Sequence, residues 1–111
     1  MSIKIENVAI LEITETYISK EDDIEQHAFE GVFSIEGKVF EFGGYVQTGD
    51  DKITKVKSQD AWWDYVASDI VKAGLVEDIS EAKDIFHKML KEIDADAVLK
   101  FARATVFEEA S

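Results

Sequence analysis

The apolar residues of this chain change their period once, and that change constrains the fold more than any other feature. Up to residue 57 they recur at every second position, as in strands with one buried face. From Ser58 onward they recur at three and four, as in amphipathic helices. Strands first and helices second describe an α+β domain rather than the alternating units of a parallel sheet. The expectation is about four antiparallel strands in the N-terminal half, followed by three helices packed on one sheet face.

The first strand is expected over residues 3–18. Its apolar parity slips around Asn7, which points to a bulge or to burial on both faces. Residues 20–26 read as a polar loop. A second strand over 28–35 places Phe29, Phe33 and Ile35 on one face. Glu36-Gly37-Lys38 reads as a tight hairpin turn. A third strand over 39–47 has Phe40 and Phe42 on a shared face, and Gly43-Gly44 marks a bulge or a close backbone approach. Thr48-Gly49-Asp50-Asp51 is a turn. Residues 52–57 form a fourth strand at a sheet edge, where lysines discourage further pairing.

Ser58 is expected to cap the first helix, with Trp62, Trp63, Val66, Ile70 and Ala73 on one stripe and Gly74 as its stop. Asp78 and Glu81 have capping-box spacing ahead of a second helix. Its apolar face is Ile79, Ala82, Phe86, Met89, Leu90 and Ile93, with Ile85 at the edge. The phase breaks at Asp94-Ala95-Asp96, so Asp94 caps a third helix with Val98, Leu99, Ala102 and Val106 inward. Residues 105–107 are expected to fray or to form a short strand.

A length of 111 residues suits one domain, 1–111. The absence of cysteine excludes a disulfide framework, a zinc finger, an iron–sulfur cluster and a thiol nucleophile. Neither a signal-peptide pattern nor an 18-residue apolar run is present, so the expected location is cytoplasmic, with no membrane contact. The 24 Asp and Glu against 12 Lys and Arg give a net charge of -12. Spread over roughly 6,000 Å², that is about one net charge per 500 Å². Such a surface repels nucleic acids and anionic membranes and attracts a basic protein surface.

Catalytic and metal chemistry find little support. His27 and His87 lie far apart without flanking ligands, and both read as surface histidines. The acidic run Glu21-Asp22-Asp23-Ile24-Glu25 lacks the glycine and ligand spacing of a calcium loop, and reads as a solvated or partner-facing loop. Glu36-Gly37-Lys38 with Asp22 and Asp23 superficially matches the acid–lysine set of metal-dependent nucleases. Its glycine sits at a hairpin tip, however, and no basic groove accompanies it. No Ser-His-Asp order and no glycine-rich phosphate loop emerges. The expectation is a non-enzyme without metal or cofactor. Trp62 and Trp63 are expected to pack against the sheet, whereas Tyr65, set among carboxylates, offers an exposed contact. Lys83, His87 and Lys91 make a locally basic strip, read as a solvated face.

Charge and size therefore suggest a small acidic protein inhibitor that binds the basic, nucleic-acid-binding surface of a target enzyme. Each carboxylate would stand in for a phosphate. The composition resembles that of phage anti-defence proteins (anti-restriction or anti-CRISPR) and toxin immunity proteins, an analogy of charge and size alone, and no motif places the chain in a family. The candidate partner-binding residues are Glu21, Asp22, Asp23, Glu25, Asp50, Asp51, Asp60, Asp64, Tyr65 and Asp69. The alternative is a non-catalytic phage or bacterial accessory or assembly domain that acts through self-association, for which a homodimer is one form, or through other protein-protein contacts. Geometry discriminates the two: convergence of these acidic groups on one side favours the inhibitor, and scatter counts against it.

Overall fold

The computed structural model describes residues 3–49 and 53–109. Strands β1 (Ile5–Ser19), β2 (Ile24–Ile35), β3 (Lys38–Thr48) and β4 (Thr54–Lys57) precede helices α1 (Asp60–Lys72), α2 (Ile79–Glu92) and α3 (Ala95–Glu109). The strands pair antiparallel in chain order, β1-β2-β3-β4. This is the expected α+β arrangement, with the helices against the sheet.

Strand alternation builds the core. Phe29, Phe33 and Ile35 of β2 share a face with Phe40, Phe42 and Val46 of β3, because Phe33 pairs with Phe40, Gly31 with Phe42 and His27 with Val46. All six apolar side chains are buried. Phe33 stacks on Phe40 at 5.5 Å, and Phe29 meets Phe42 edge-on at 6.0 Å. Phe86 of α2 closes over Phe42 at 6.0 Å and meets Trp63 of α1 at 5.0 Å, both edge-on. Val66, Ala67, Ile70, Met89, Val98, Leu99 and Ala102 seal the layer. Each large apolar side chain so buried contributes about 1.5–3 kcal/mol.

The turns obey their residue chemistry. Glu36 and Gly37 have φ values of 50° and 81° between the paired Ile35 and Lys38. That is a two-residue hairpin loop whose twist matches the strands. Asn7 lies at φ 56° where the β1 register slips, and two further slips occur at Ile10/Glu12 and Ile13/Glu15. Three bulges in one edge strand bend it and spoil it as a template for further pairing.

At the opposite edge β4 pairs only with residues 45–48 of β3. Helix α1 lies along the remainder. At its start the Ser58 hydroxyl donates to the Gly43 carbonyl at 2.6 Å, and at its end Lys38 Nζ donates to the Ala73 carbonyl at 2.5 Å. Ser58 is therefore a tie to the sheet and not the helix cap. Gln59 holds the cap position without a side-chain bond. Asp78 does cap α2, accepting from Ser80 N at 2.9 Å, and Asp94 accepts from Ala97 N at 3.2 Å. Ile79 departs from expectation: it is 45% exposed, while Ile85 is buried. As the first residue of α2, Ile79 leans back toward the N-terminus, past the end of the core. Residues 105–107 continue α3. The molecule measures 46 × 25 × 21 Å with a radius of gyration of 15.1 Å, against about 13 Å for a compact chain of this length.

Candidate protein-docking face

The residues between the core-facing positions form the other face of the sheet. The register arranges them in rows across the strands. One row is Tyr17, Gln26, Gln47 and Lys55; the next is Glu15, Ala28, Tyr45 and Lys57; the third is Glu12, Glu30 and Gly43; Val32 and Glu41 come next. Glu12 and Glu30 are direct cross-strand partners, and Glu15 and Glu41 stand in the adjacent rows. All four carboxylates are exposed. No lysine or arginine among the described residues pairs with any of them. Directly opposed like charges on a sheet are destabilising.

An aromatic shelf borders these carboxylates. A Cβ on Gly43 would strike the Trp62 indole, whereas a Cβ on Gly44 would meet Phe29 in the core at 3.2 Å. Successive strand residues face opposite ways, so Trp62 rests on the carboxylate side. Its helix meanwhile turns Val66, Ala67 and Ile70 inward. Trp62 thus reaches round the edge of β3. Tyr65, 51% exposed, meets it edge-on at 5.5 Å. Between Glu15 and Glu30 on one side and Trp62 and Tyr45 on the other lies a slot of about 220 Å³.

The expected contact residues fall into separate groups. Glu21, Asp22 and Asp23 occupy the exposed turn between β1 and β2. There the Ser19 hydroxyl and Asp22 bond each other, with Asp22 N donating to Ser19 Oγ at 3.2 Å. Asp22 shares a concavity of about 280 Å³ with Gln47, Lys55 and Lys57. Asp50 and Asp51 lie outside the described residues. Asp60 and Asp64 are exposed on α1, Asp69 is half-buried, and Asp64 pairs with Lys83 at 3.1 Å. Helix α1 begins beside Gly43 and runs toward Lys38, away from the β1–β2 turn beyond Thr48. Five strand residues, about 17 Å, separate the two ends. These acidic groups do not converge on one patch.

Glu25 and His27 need correction. Glu25 is turned inward and does not stand out with the acidic turn, and His27 is not a surface histidine. Both share the inward parity of Phe29, at the end of the sheet where α3 packs. His27 is fully buried, and the Glu25 side chain is 17% exposed. His27 Nδ1 bonds Thr16 Oγ1 at 2.8 Å, and its Nε2 bonds Glu25 Oε2 at 2.7 Å. Arg103 of α3 closes the chain, its Nη2 donating to Glu25 Oε1 at 2.6 Å and its Nε to Oε2 at 3.0 Å. The Arg103 hydrogen bonds hold the Glu25 carboxyl below the usual carboxylate range, against the opposing push of burial, with His27 assisting. The same contact raises Arg103. The order hydroxyl–imidazole–carboxylate resembles a catalytic relay, but the imidazole is sealed and the carboxylate is clamped. It is a strut that pins α3 to β1 and β2. His87, by contrast, is exposed, lying 5.8 Å from Trp63.

Glu12, Glu15, Glu30 and Glu41 are not among the contacts expected from sequence. Strand parity offers Glu30, between Phe29 and Phe33, and Glu41, between Phe40 and Phe42. The bulges of β1 hide Glu12 and Glu15, because each slip reverses the facing of the residues beyond it. Among the described residues, no group of three or more His, Asp or Glu side chains is placed to hold a metal ion, and no helix is long and apolar enough to cross a membrane. No known protein family matches the chain, nor does any curated protein or solved structure.

Proposed function

We propose that this protein is a stoichiometric inhibitor that lays the carboxylate face of its sheet on the basic surface of a nucleic-acid-binding enzyme. The observation that carries this reading is the opposition of Glu12 and Glu30 across β1 and β2, with no cation among the described residues paired to either. That arrangement costs stability in the isolated molecule. A lysine or arginine supplied by a partner relieves it and gains charge-assisted hydrogen bonds. The net charge of -12 steers the encounter. The scatter of the turn and helix acids counts against an inhibitor that docks through them and leaves only this face to carry the docking; the anti-defence and immunity settings are those it suits. A second reading rests on Lys55 and Lys57, which share the face with the glutamates. Two copies stacked in opposite directions would match carboxylates to lysines, giving a homodimer that acts as an accessory or assembly component.

The test is capture from lysate on the immobilised protein, compared with the double variant Glu12→Lys/Glu30→Lys. A nucleic-acid enzyme retained by the wild type, released by salt or added DNA, and lost with the variant is the expected result. Retention of the same enzyme by the variant overturns the docking face. A dimer in sedimentation that the variant dissociates, with no enzyme retained, favours the second reading.

A further inference from the structure

We infer that the slot beside Trp62 receives a single arginine side chain of the partner, a step that rests on the inhibitor reading. The slot lies where Ala28 and Gly43 interrupt the larger side chains of the sheet face. Ala28 forms its floor, and the space above Gly43 is taken by the Trp62 indole that makes its wall. Glu15 and Glu30 stand on one wall, with no cation among the described residues paired to either. Trp62 and Tyr45 form the other wall. Negative charge facing an aromatic wall suits a cation, and the planar guanidinium suits it better than an ammonium. It can stack on an aromatic ring while its fork of donors reaches two carboxylates. About 220 Å³ accommodates the guanidinium and the end of its stem.

The two tryptophans make the test specific. The Trp63 indole N–H donates to the Ser58 carbonyl at 3.2 Å, whereas the Trp62 indole N–H has no partner among the described residues. The Trp62 indole resonance therefore reports the slot, and Trp63 serves as the internal control. Hexa-arginine and hexa-lysine peptides are titrated at low salt into the isotope-labelled full chain and monitored by two-dimensional NMR. Glu30→Gln and Glu15→Gln are compared with the wild type, their folding checked by urea midpoint. The expected result is a shift of Trp62 but not Trp63, tighter binding of hexa-arginine than hexa-lysine, and affinity about tenfold weaker in Glu30→Gln. Binding that shifts Glu12 and Glu41 but leaves Trp62 in place, or that is equal for the two peptides, overturns the slot and leaves the docking face standing. Failure of both peptides to bind overturns the slot and the docking face together.

Discussion

Two single residues carry tertiary contacts that composition does not hint at. Gly43 leaves room for the Trp62 indole to lie on the sheet. Gly43→Ala is expected to push Trp62 off β3 and destabilise the fold by about 1–3 kcal/mol. Urea denaturation and the tryptophan emission maximum check this together; an unchanged midpoint with unchanged emission contradicts the contact. Glu25 joins three elements through Arg103 and His27. Its folded pKa lies below the ordinary glutamate value of 4.5. A carboxylate lowered by folding adds stability that is fully present above its unfolded pKa and lost as the pH falls through the folded value. Glu25→Gln is therefore expected to lose about 1–2 kcal/mol at pH 7, with Arg103 half-exposed and the effect moderated by solvent. The gap between variant and wild type closes as the pH falls below the ordinary glutamate value of 4.5 and through the folded one. A gap constant from neutral pH down to about pH 3 excludes the ion pair as its cause.

Among elements, β1 and β2 carry a like-charge pair, and the proposed docking would set binding against stability there. Glu12 and Glu30 oppose each other on the uncovered face. Glu30→Lys converts a repulsive pair to an attractive one, so the thermal midpoint is expected to rise, by a few tenths to about 1 kcal/mol of stability. Partner binding is expected to fall in the same variant. A variant both less stable and fully active in binding contradicts the assignment of this face. Helix α1 serves the same face differently. It completes the edge of β3 where β4 stops short, through Ser58 and Lys38. Ser58→Ala is expected to leave the Gly43 carbonyl without its 2.6 Å bond and to cost about 1 kcal/mol, measured by chemical denaturation.

Across the whole molecule, the net charge of -12 repels itself. Added salt shortens the screening length from about 30 Å at 0.01 M to about 8 Å at 0.15 M. The melting temperature is therefore expected to rise between those concentrations, on the order of 5 °C, while partner binding weakens. Calorimetry and binding over one salt series check both signs. A melting temperature that falls with salt means that the charges are compensated within the fold. The molecule is elongated, 46 Å in its long dimension.

Local pattern alone determined the order of elements. Alternation of Phe29, Phe33, Phe40 and Phe42 requires strands with one buried face, and the spacing of Ala82, Phe86, Met89 and Leu90 requires a helix. Both are properties of backbone geometry within a few residues. The hairpin at Glu36-Gly37, the caps at Asp78 and Asp94 and the irregularity at Asn7 were legible for the same reason. The candidate site was legible only in its chemistry: acidic, with aromatics nearby. Its composition depended on which strands lie side by side and on the bulges of β1, which turn Glu12 and Glu15 to the face of Glu30. The same tertiary packing turned Glu25 inward to Arg103, 78 positions away, and carried Trp62 around the sheet edge onto Gly43. A charge count is indifferent to where the charges stand. Only register and packing decide which carboxylates meet a cation of their own chain and which are left facing solvent.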